Sequence, residues 1–257
     1  MSMTMIARKA SKAALTPLGW PARRRPGDVV ILLYHRVGPS PSEIELGASA
    51  FERQLEYLAV NERVLTLDQA LMGEEGGVVV TFDDGTRDFH ETVVPLLVQH
   101  GVPAVLYLAT SWVGSDGSES LTWQQIRDAK ATGFVTIGSH THTHADLSRT
   151  SDAETESEMR VSKELIEDEL GVACRHFAYP WAVRSPAADR AARKHFDSAA
   201  LDAWRTNRAE RIDPHRLGRV PVLRSDGDVF FRRKVAGALD SEAWLYRALG
   251  RGPWGRG

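Results

Sequence analysis

The sequence contains a single cysteine, Cys174, among its 257 residues. No intrachain disulfide can form, and zinc sites or iron–sulfur clusters built from several cysteines are excluded. Positive and negative side chains are also nearly balanced, with 32 Lys and Arg against 34 Asp and Glu. The formal net charge is −2 at pH 7, which gives no reason to expect nucleic acid as a partner. Long apolar runs are also missing, because no stretch approaches the roughly 20 apolar residues that span a bilayer.

The first 27 residues are basic and lack the apolar core of roughly 7–15 residues that marks a secretory signal. We therefore expect the chain to stay in the cytoplasm. This leader, residues 1–27, is typical of a flexible solvated segment, and the alternative is peripheral contact of its basic residues with anionic lipid at the inner membrane face. At the other end, residues 250–257 have no periodic pattern and are expected to form a flexible tail.

Seven short runs of β-branched and apolar residues predict strands that are buried on both faces, as in a parallel sheet. The five stronger runs cover residues 29–35, 78–84, 102–109, 134–140 and 175–179, and two weaker ones cover 196–201 and 219–223. Longer amphipathic segments separate them. This alternation over residues 28–249 predicts one α/β domain, either a barrel or an open sheet.

Helix starts are marked between the predicted strands. Capping-box pairs, in which Ser or Thr is followed three residues later by Glu or Gln, occur at Ser49, Thr122 and Ser151. Ser185 followed by Pro186 is a typical cap and first helical residue. One or two further helices are expected within residues 228–249.

Polar residues occur where the predicted strands end. Because the carboxyl ends of parallel strands meet on one face of the fold, these residues should converge there. They come from distant parts of the sequence: His35, Asp83, Asp84, His140, Tyr179 and Pro180.

The stretch TFDDG (81–85) places Asp83 and Asp84 side by side at a strand end. Adjacent side chains in β geometry point in different directions, so one carboxylate can bind a metal while the other acts on water. The alternative is that one of them only caps a helix that begins near Arg87, because Asp is a common cap.

The stretch GSHTHTH (138–144) contains three histidines at alternate positions. Continued as a strand it would place all three on one face, whereas a helical turn would pair only His140 and His144. The apolar run ends at His140, which favours the turn and directs His142 elsewhere. Two imidazoles and one carboxylate leave an open position on a tetrahedral ion, as catalytic zinc sites do.

TFDDG, the His140–His144 segment and the segment 177–182 (FAYPWA) together resemble motifs of the polysaccharide deacetylases of carbohydrate esterase family 4, which share the NodB homology domain. The first two motifs are matched in full and the third only in part. The resemblance covers roughly residues 28 to 223. It implies an α/β fold, a distorted (β/α) barrel with about seven parallel strands, and hydrolysis of N-acetyl or sometimes O-acetyl groups of an aminosugar.

The resemblance also assigns roles to residues. It implies that Asp84, His140 and His144 hold a divalent metal, with zinc preferred and iron, cobalt, nickel or manganese also compatible. Asp83 is then the general base. The backbone N–H of Trp181 would share the developing oxyanion with the metal. Residues of the third motif would contact the substrate: Tyr179, Pro180 and Trp181. Trp112 and Trp123 are either further sugar platforms or core residues.

Two departures from the family pattern stand out. The third motif lacks the arginine that steadies the catalytic base, and Ala182 replaces a glycine of the turn. Arg175 or another cation is needed to compensate, and Arg219 either contacts the base or substrate or is simply solvated. The late Leu-x-His motif is also absent. Instead His35 ends the first strand, as in the subset that includes poly-N-acetylglucosamine deacetylases, and is our predicted general acid unless it is only a hydrogen-bonded core residue.

The sequence therefore predicts a metal-dependent deacetylase that acts on a GlcNAc-type saccharide, either a polysaccharide or a lipid-linked precursor. Two alternatives remain open. One is a carbohydrate-binding pseudoenzyme of the same fold, against which the intact TFDDG and His140–His144 motifs argue, although the degraded third motif leaves it open. The other is a deacylase of a small-molecule aminosugar, which the missing export signal favours.

Overall fold

The computed structural model describes residues 24–73, 75–115 and 119–238. The predictions for the C-terminal tail and for most of the basic leader lie outside these residues. The end of the leader does contact the domain: the Arg24 backbone N–H donates to the Ala236 carbonyl at 3.0 Å, and its guanidinium pairs with Glu62 at 2.6 Å. The domain limits and the lipid contact of the leader remain predictions.

Seven parallel strands close into a barrel, which confirms the predicted fold class. Each strand falls within or beside one of the seven predicted runs. In spatial order they are β1 (Val29–Tyr34), β4 (Gly77–Phe82), β5 (Ala104–Leu108), β6 (Val135–Ser139), β7 (His176–Ala178), β8 (Ser198–Asp202) and β9 (Leu217–Pro221), and β9 pairs with β1. A small parallel pair, β2 (Arg36–Val37) and β3 (Glu45–Leu46), follows β1 and was not predicted.

Helices cover the outside of the barrel. They are α1 (Ala48–Asn61), α2 (Leu67–Met72), α3 (Val94–His100), α4 (Trp123–Ala131), α5 (Asp152–Leu170), α6 (Pro186–His195) and α7 (Gly227–Val235). A π-helical segment, Phe89–Val93, leads into α3. Among the described residues, no helix has the length and apolar character needed to cross a membrane.

The helix caps follow the sequence signals with one exception. Thr122 and Ser151 form complete capping boxes, and Ser185 caps α6. The predicted box at Ser49 is wrong, because α1 already begins at Ala48 and Gly47 occupies the cap position. A box at Thr66 with Gln69 starts α2 and was missed.

Two clusters of buried apolar residues lie on the two faces of the barrel wall. In β1, Val30 and Leu32 belong to the larger cluster, which also includes helix residues such as Phe51 and Ile166. The alternate residues Val29 and Ile31 belong to the smaller one. Because strand side chains alternate between faces, both faces of the wall are apolar and the polar groups are left to the strand ends.

Candidate active site

A cavity of about 180 Å³ lies at the carboxyl ends of the strands. Residues from widely separated parts of the chain line it, as the predicted convergence requires. They include His35 after β1, Asp83 and Asp84 after β4, His140 and His144 after β6, Tyr179 and Trp181 after β7, Asp202 of β8 and Arg219 of β9.

The backbone turns sharply after β4 and separates the two aspartates. Asp84 has φ 79° and Gly85 has φ 86°. A Cβ atom at Gly85 would lie 2.7 Å from Leu108 Cδ2, so only glycine fits this turn. The next helical segment has Asp88 at its cap position. Neither Asp83 nor Asp84 is therefore a helix cap, and both are available to the cavity.

The histidine loop bends without forming a helical turn, so that expected local structure is wrong. Thr141 and His144 adopt positive φ values of 67° and 58°, and residues 140–144 contain no helix. The bend still brings the rings of His140 and His144 within 4.9 Å of each other, measured between centroids. His142 points elsewhere and bonds Thr110 Oγ1 through Nδ1 at 2.9 Å.

Asp84, His140 and His144 form a group that fits a single cation. Their ligand atoms all lie within 4.8 Å of one another. Asp84 Oδ1 lies 3.4 Å from His144 Nε2 and 3.7 Å from His140 Nε2, close to the roughly 3.3 Å between ligands of a tetrahedral zinc ion. That oxygen is buried and has no hydrogen-bond partner among the residues that the structure describes. A buried carboxylate oxygen without a partner is costly, and a cation would remove the cost.

The protonation of the two imidazoles also suits a cation. His140 Nδ1 lies 2.8 Å from the Ala178 carbonyl, which can only accept, so the proton is on Nδ1 and Nε2 carries a lone pair. Burial lowers the pKa of His140 to about 4. Burial together with the nearby His140 lowers the pKa of His144 to about 3. Both rings are neutral at pH 7.

Asp84 has the opposite shift. Burial and the neighbouring Asp83 charge raise its pKa to about 7. Without a cation, burial and the Asp83 charge thus favour the protonated form of Asp84. A divalent ion would favour the charged form, which is the form that binds it.

Asp83 is held by Arg219, which takes the place of the arginine that is missing from the third motif. The Arg219 guanidinium donates from Nη1 to Oδ1 at 2.6 Å and from Nη2 to Oδ2 at 2.7 Å. Both side chains are almost fully buried. Burial alone would raise the pKa of Asp83, but the charge and the hydrogen bonds of the Arg219 guanidinium lower it well below its ordinary value. Asp83 is therefore ionised at neutral pH.

Arg175, the other arginine considered from the sequence, does not replace the missing arginine. It pairs with Asp197 at 2.6 Å and with Asp68 at 3.0 Å. The sequence did contain a signal for Arg219. It lies within the apolar stretch LGRVPVL, and an arginine inside a buried strand requires a carboxylate partner. The interpretation of Arg219 as a solvated residue is wrong.

His35 follows β1 and lines the cavity. Burial lowers its pKa to about 4, although the Asp83 charge opposes the shift. The imidazole is therefore neutral at pH 7 in this state. Asp83, Arg219 and His144 all influence the pKa of His35, which indicates that His35 lies close to the other residues of the candidate site.

The three third-motif residues differ in exposure. The side chain of Trp181 is 51% exposed at the cavity, with φ 58°. Tyr179 lines the cavity but is only 2% exposed, and its hydroxyl donates to Asp189 Oδ1 at 3.0 Å. Pro180 is buried. Their burial does not favour Tyr179 and Pro180 as saccharide contacts, whereas Trp181 and the 36%-exposed Trp112 present ring surface to the cavity. Trp123 packs against the main core cluster.

Comparison with known proteins agrees with this site. Residues 72–196 match the family model described as polysaccharide deacetylase. The chain is 27% identical over 169 residues to the putative polysaccharide deacetylase YxkH of Bacillus subtilis, covering 63% of this chain and 59% of that protein. It is 27% identical over 154 residues to the poly-beta-1,6-N-acetyl-D-glucosamine N-deacetylase of Escherichia coli O157:H7, covering 51% of this chain and 22% of that protein. Both matches span less than two thirds of the relative's length.

The barrel is also found among solved structures. The Streptococcus pyogenes deacetylase PplD in complex with acetate superposes with a TM-score of 0.75 at 21% identity, covering 82% of this chain and 99% of that chain. At this identity the likeness is one of fold. Residues 72–196, the segment that carries both complete motifs, are thus similar in sequence to the polysaccharide deacetylase family.

Proposed function

We propose that this protein is a metal-dependent deacetylase that hydrolyses N-acetyl groups of a GlcNAc-type saccharide. The observation that carries the proposal is the position of Asp84 Oδ1. This oxygen has no hydrogen-bond partner among the described residues and lies within 3.7 Å of two neutral imidazoles. The neighbouring carboxylate, Asp83, is fixed by Arg219. Similarity to the polysaccharide deacetylase family supports the hydrolytic class. The name of the Escherichia coli relative supports N-acetylglucosamine as the acetylated sugar.

Asp84, His140 and His144 would hold the divalent ion, and this set of one carboxylate and two imidazoles suits zinc, with iron, cobalt, nickel or manganese as further possibilities. When bound, such an ion supplies Lewis-acid polarisation of the acetyl carbonyl and a lower pKa for coordinated water. The chain's own groups then orient the substrate and move protons.

Asp83 is the proposed general base. Its Oδ2 lies 3.6 Å from His140 Nε2, so its carboxylate borders the cation site. The fork of hydrogen bonds from Arg219 fixes its orientation and keeps it ionised. In this position Asp83 can accept a proton from a water that attacks the acetyl carbon.

His35 is the proposed general acid for the leaving amine. Because its pKa is about 4 in this state, it is neutral at pH 7 and must receive its proton when substrate binds or during the reaction. The negative charge of Asp83, which raises the pKa of His35, favours that transfer. The backbone N–H of Trp181 is the proposed hydrogen-bond donor to the oxyanion.

The test is acetate release from N-acetylated glucosamine oligosaccharides, measured with and without a chelator. We expect release to stop in the chelator and to return with zinc or another divalent ion. Asp83→Asn should abolish turnover while saccharide binding persists. Asp128→Asn, which neutralises an exposed carboxylate on α4, is the matched control and should keep full activity.

Other outcomes separate the rival functions. Saccharide binding by the wild type without acetate release under any metal condition would identify a binding pseudoenzyme. The pseudoenzyme was considered because the third motif lacks the arginine that orients the base. Arg219 donates to Asp83 from another strand, so the missing arginine no longer supports that alternative. Release from acetylated aminosugar monomers alone would indicate a small-molecule deacylase.

His35 requires its own test. We expect His35→Ala to lower kcat strongly while the metal content stays unchanged. Near-normal activity with an unaltered pH profile would show that His35 is only a neighbour of the site.

A further inference from the structure

The imidazole of His144 contacts two indole rings that also line the cavity. The centroid of Trp112 is 4.9 Å away with an interplanar angle of 31°, and that of Trp181 is 4.8 Å away at 70°. The two tryptophans come from different turns, Trp112 after β5 and Trp181 after β7. The turns after β5 and β7 therefore both contact the imidazole of His144, a residue of the proposed cation site.

Trp181 makes a second contact with the same residue. Its indole Nε1–H donates to the His144 carbonyl at 3.1 Å. His144 has φ 58°, a conformation that residues with a Cβ atom rarely adopt unless their surroundings hold them there. The indole thus bonds the backbone of His144 at the point of strain and contacts its side chain.

His140 is held in another way. Its backbone N–H donates to the Leu108 carbonyl at 2.8 Å, and its Nδ1 bonds the Ala178 carbonyl at 2.8 Å. These contacts belong to the barrel wall. His144 lies four residues farther along a loop without helix or strand, and its ring meets the wall-held His140 ring at 4.9 Å between centroids, about as far as from each indole.

We propose that Trp181 is a positioning residue for His144, with Trp112 as a second ring in contact with the imidazole, and that these contacts set the affinity of the cation site. The indole N–H fixes the His144 carbonyl. The two rings restrict rotation of the imidazole, so that Nε2 stays 3.4 Å from Asp84 Oδ1. The inference rests on the proposed cation site and gives Trp181 a role that is separate from contact with a saccharide.

The test measures metal binding directly. The apparent Kd of the full chain for Zn²⁺ and Co²⁺ is determined by competition with a chelator of known affinity, and the visible spectrum of the Co²⁺ form reports ligand geometry. Trp181→Phe keeps an aromatic ring and loses the N–H, whereas Trp181→Ala loses both. Trp123→Phe removes a tryptophan from the core-facing start of α4 and is the matched control.

We expect the Kd to rise about 10-fold in Trp181→Phe and about 100-fold in Trp181→Ala, the range seen when groups that orient metal ligands are removed. The Co²⁺ spectrum should change in both variants, and the control should stay within about twofold of the wild type. Circular dichroism checks the fold. If Trp181→Ala does not fold, Trp181→Phe decides the question alone.

Two results would overturn the proposal, and they differ in meaning. Wild-type affinity and spectrum in folded Trp181 variants would reject the positioning role while leaving the deacetylase function intact. A wild-type chain that binds neither Zn²⁺ nor Co²⁺ would reject both.

Discussion

Asp83 and Asp84 are chemically identical neighbours whose carboxyl groups behave in opposite ways. Asp83 faces Arg219, which keeps its pKa well below the ordinary value despite burial, whereas burial and the Asp83 charge raise the pKa of Asp84 to about 7. Environments that separate two pKa values in this manner are typical of sites that divide acid–base work between two groups. The direction of each side chain, set by the turn at Gly85, decides which carboxylate pairs with Arg219.

Arg219 should therefore control the ionisation of Asp83. We expect Arg219→Met to lower kcat/KM by about 100-fold and to shift the acid limb of the pH profile upward, because burial without the guanidinium raises the pKa of Asp83. Removing one partner of a buried pair should also cost about 3–5 kcal/mol of stability. Arg219→Lys should recover part of the pH shift, since the charge returns without the two-point fork.

The control for that prediction is Arg190→Lys, which changes an exposed arginine. In the wild type, the folded pKa of Asp83 lies below its unfolded value of about 3.9. The stabilising effect of the pair is thus complete above about pH 4 and is lost as the pH falls through the folded pKa. An acid limb that does not move in Arg219→Met would contradict the assigned role.

The pH dependence of metal binding should report Asp84. Below its pKa of about 7, binding an ion must release the Asp84 proton, while His140 and His144 with pKa values of about 4 and 3 are already neutral. Between pH 5 and 6.5 we expect the affinity to rise about tenfold per pH unit, which corresponds to one proton. Titration calorimetry in buffers of different ionisation heat can count that proton. A count of two or more would mean that the imidazoles also titrate there.

At the scale of elements, local sequence signals set most helix starts but not all. The boxes at Thr122 and Ser151 formed because their Glu or Gln partner lies inside the helix and can reach back to the cap. The same pattern at Ser49 did not, because the chain arriving from β3 starts α1 one residue before Ser49. Packing of the apolar face, with Phe51 and Leu55 buried, decides the start of α1.

This difference can be measured with one pair of variants. Ser151→Ala should lower the free energy of unfolding by about 1 kcal/mol, because the cap bond to the Glu154 backbone N–H is lost. Ser49→Ala should stay within about 0.5 kcal/mol of the wild type, since Ser49 lies inside the first turn. Urea denaturation followed by circular dichroism gives both values. Equal losses would mean that Ser49 caps α1 after all.

At the scale of the whole molecule, barrel closure brings Asp83, the proposed base, and Arg219 together. β9 pairs with β1, and β1 pairs with β4, so Arg219 and Asp83 become neighbours although 136 residues separate them. A buried ion pair anchors α7 to the end of β9: Lys234 Nζ donates to Asp226 at 2.6 Å and to the Pro221 carbonyl at 2.7 Å. The last helix described therefore helps to hold the strand that carries Arg219.

Breaking this anchor should destabilise the whole barrel. Lys234→Met removes the buried ammonium that donates to Asp226 and should cost about 3–5 kcal/mol in the free energy of unfolding. Arg160→Met, which breaks an exposed pair with Glu164 on α5, should cost less than about 1 kcal/mol. Thermal and denaturant unfolding of both variants provide the comparison. Similar losses would show that the buried pair does not hold the closure.

The sequence by itself determined the seven strands, most caps, and the set of polar residues at the strand ends. Those features follow from local chemistry: apolar runs, capping side chains and motif spacing are all written within a few residues. It also selected His140 and His144, although by a helical turn that does not form. The loop reaches the same pairing through positive φ values at Thr141 and His144.

Only the tertiary structure decided which arginine pairs with Asp83. It also decided that Asp84 Oδ1 has no hydrogen-bond partner among the described residues, and which tryptophans contact the ring of His144. Arg219, Trp112 and Trp181 are far from these groups along the chain and reach them through the closure of the barrel. Contacts of this kind depend on strand register and loop direction, which are properties of the packed whole, and no local pattern encodes them.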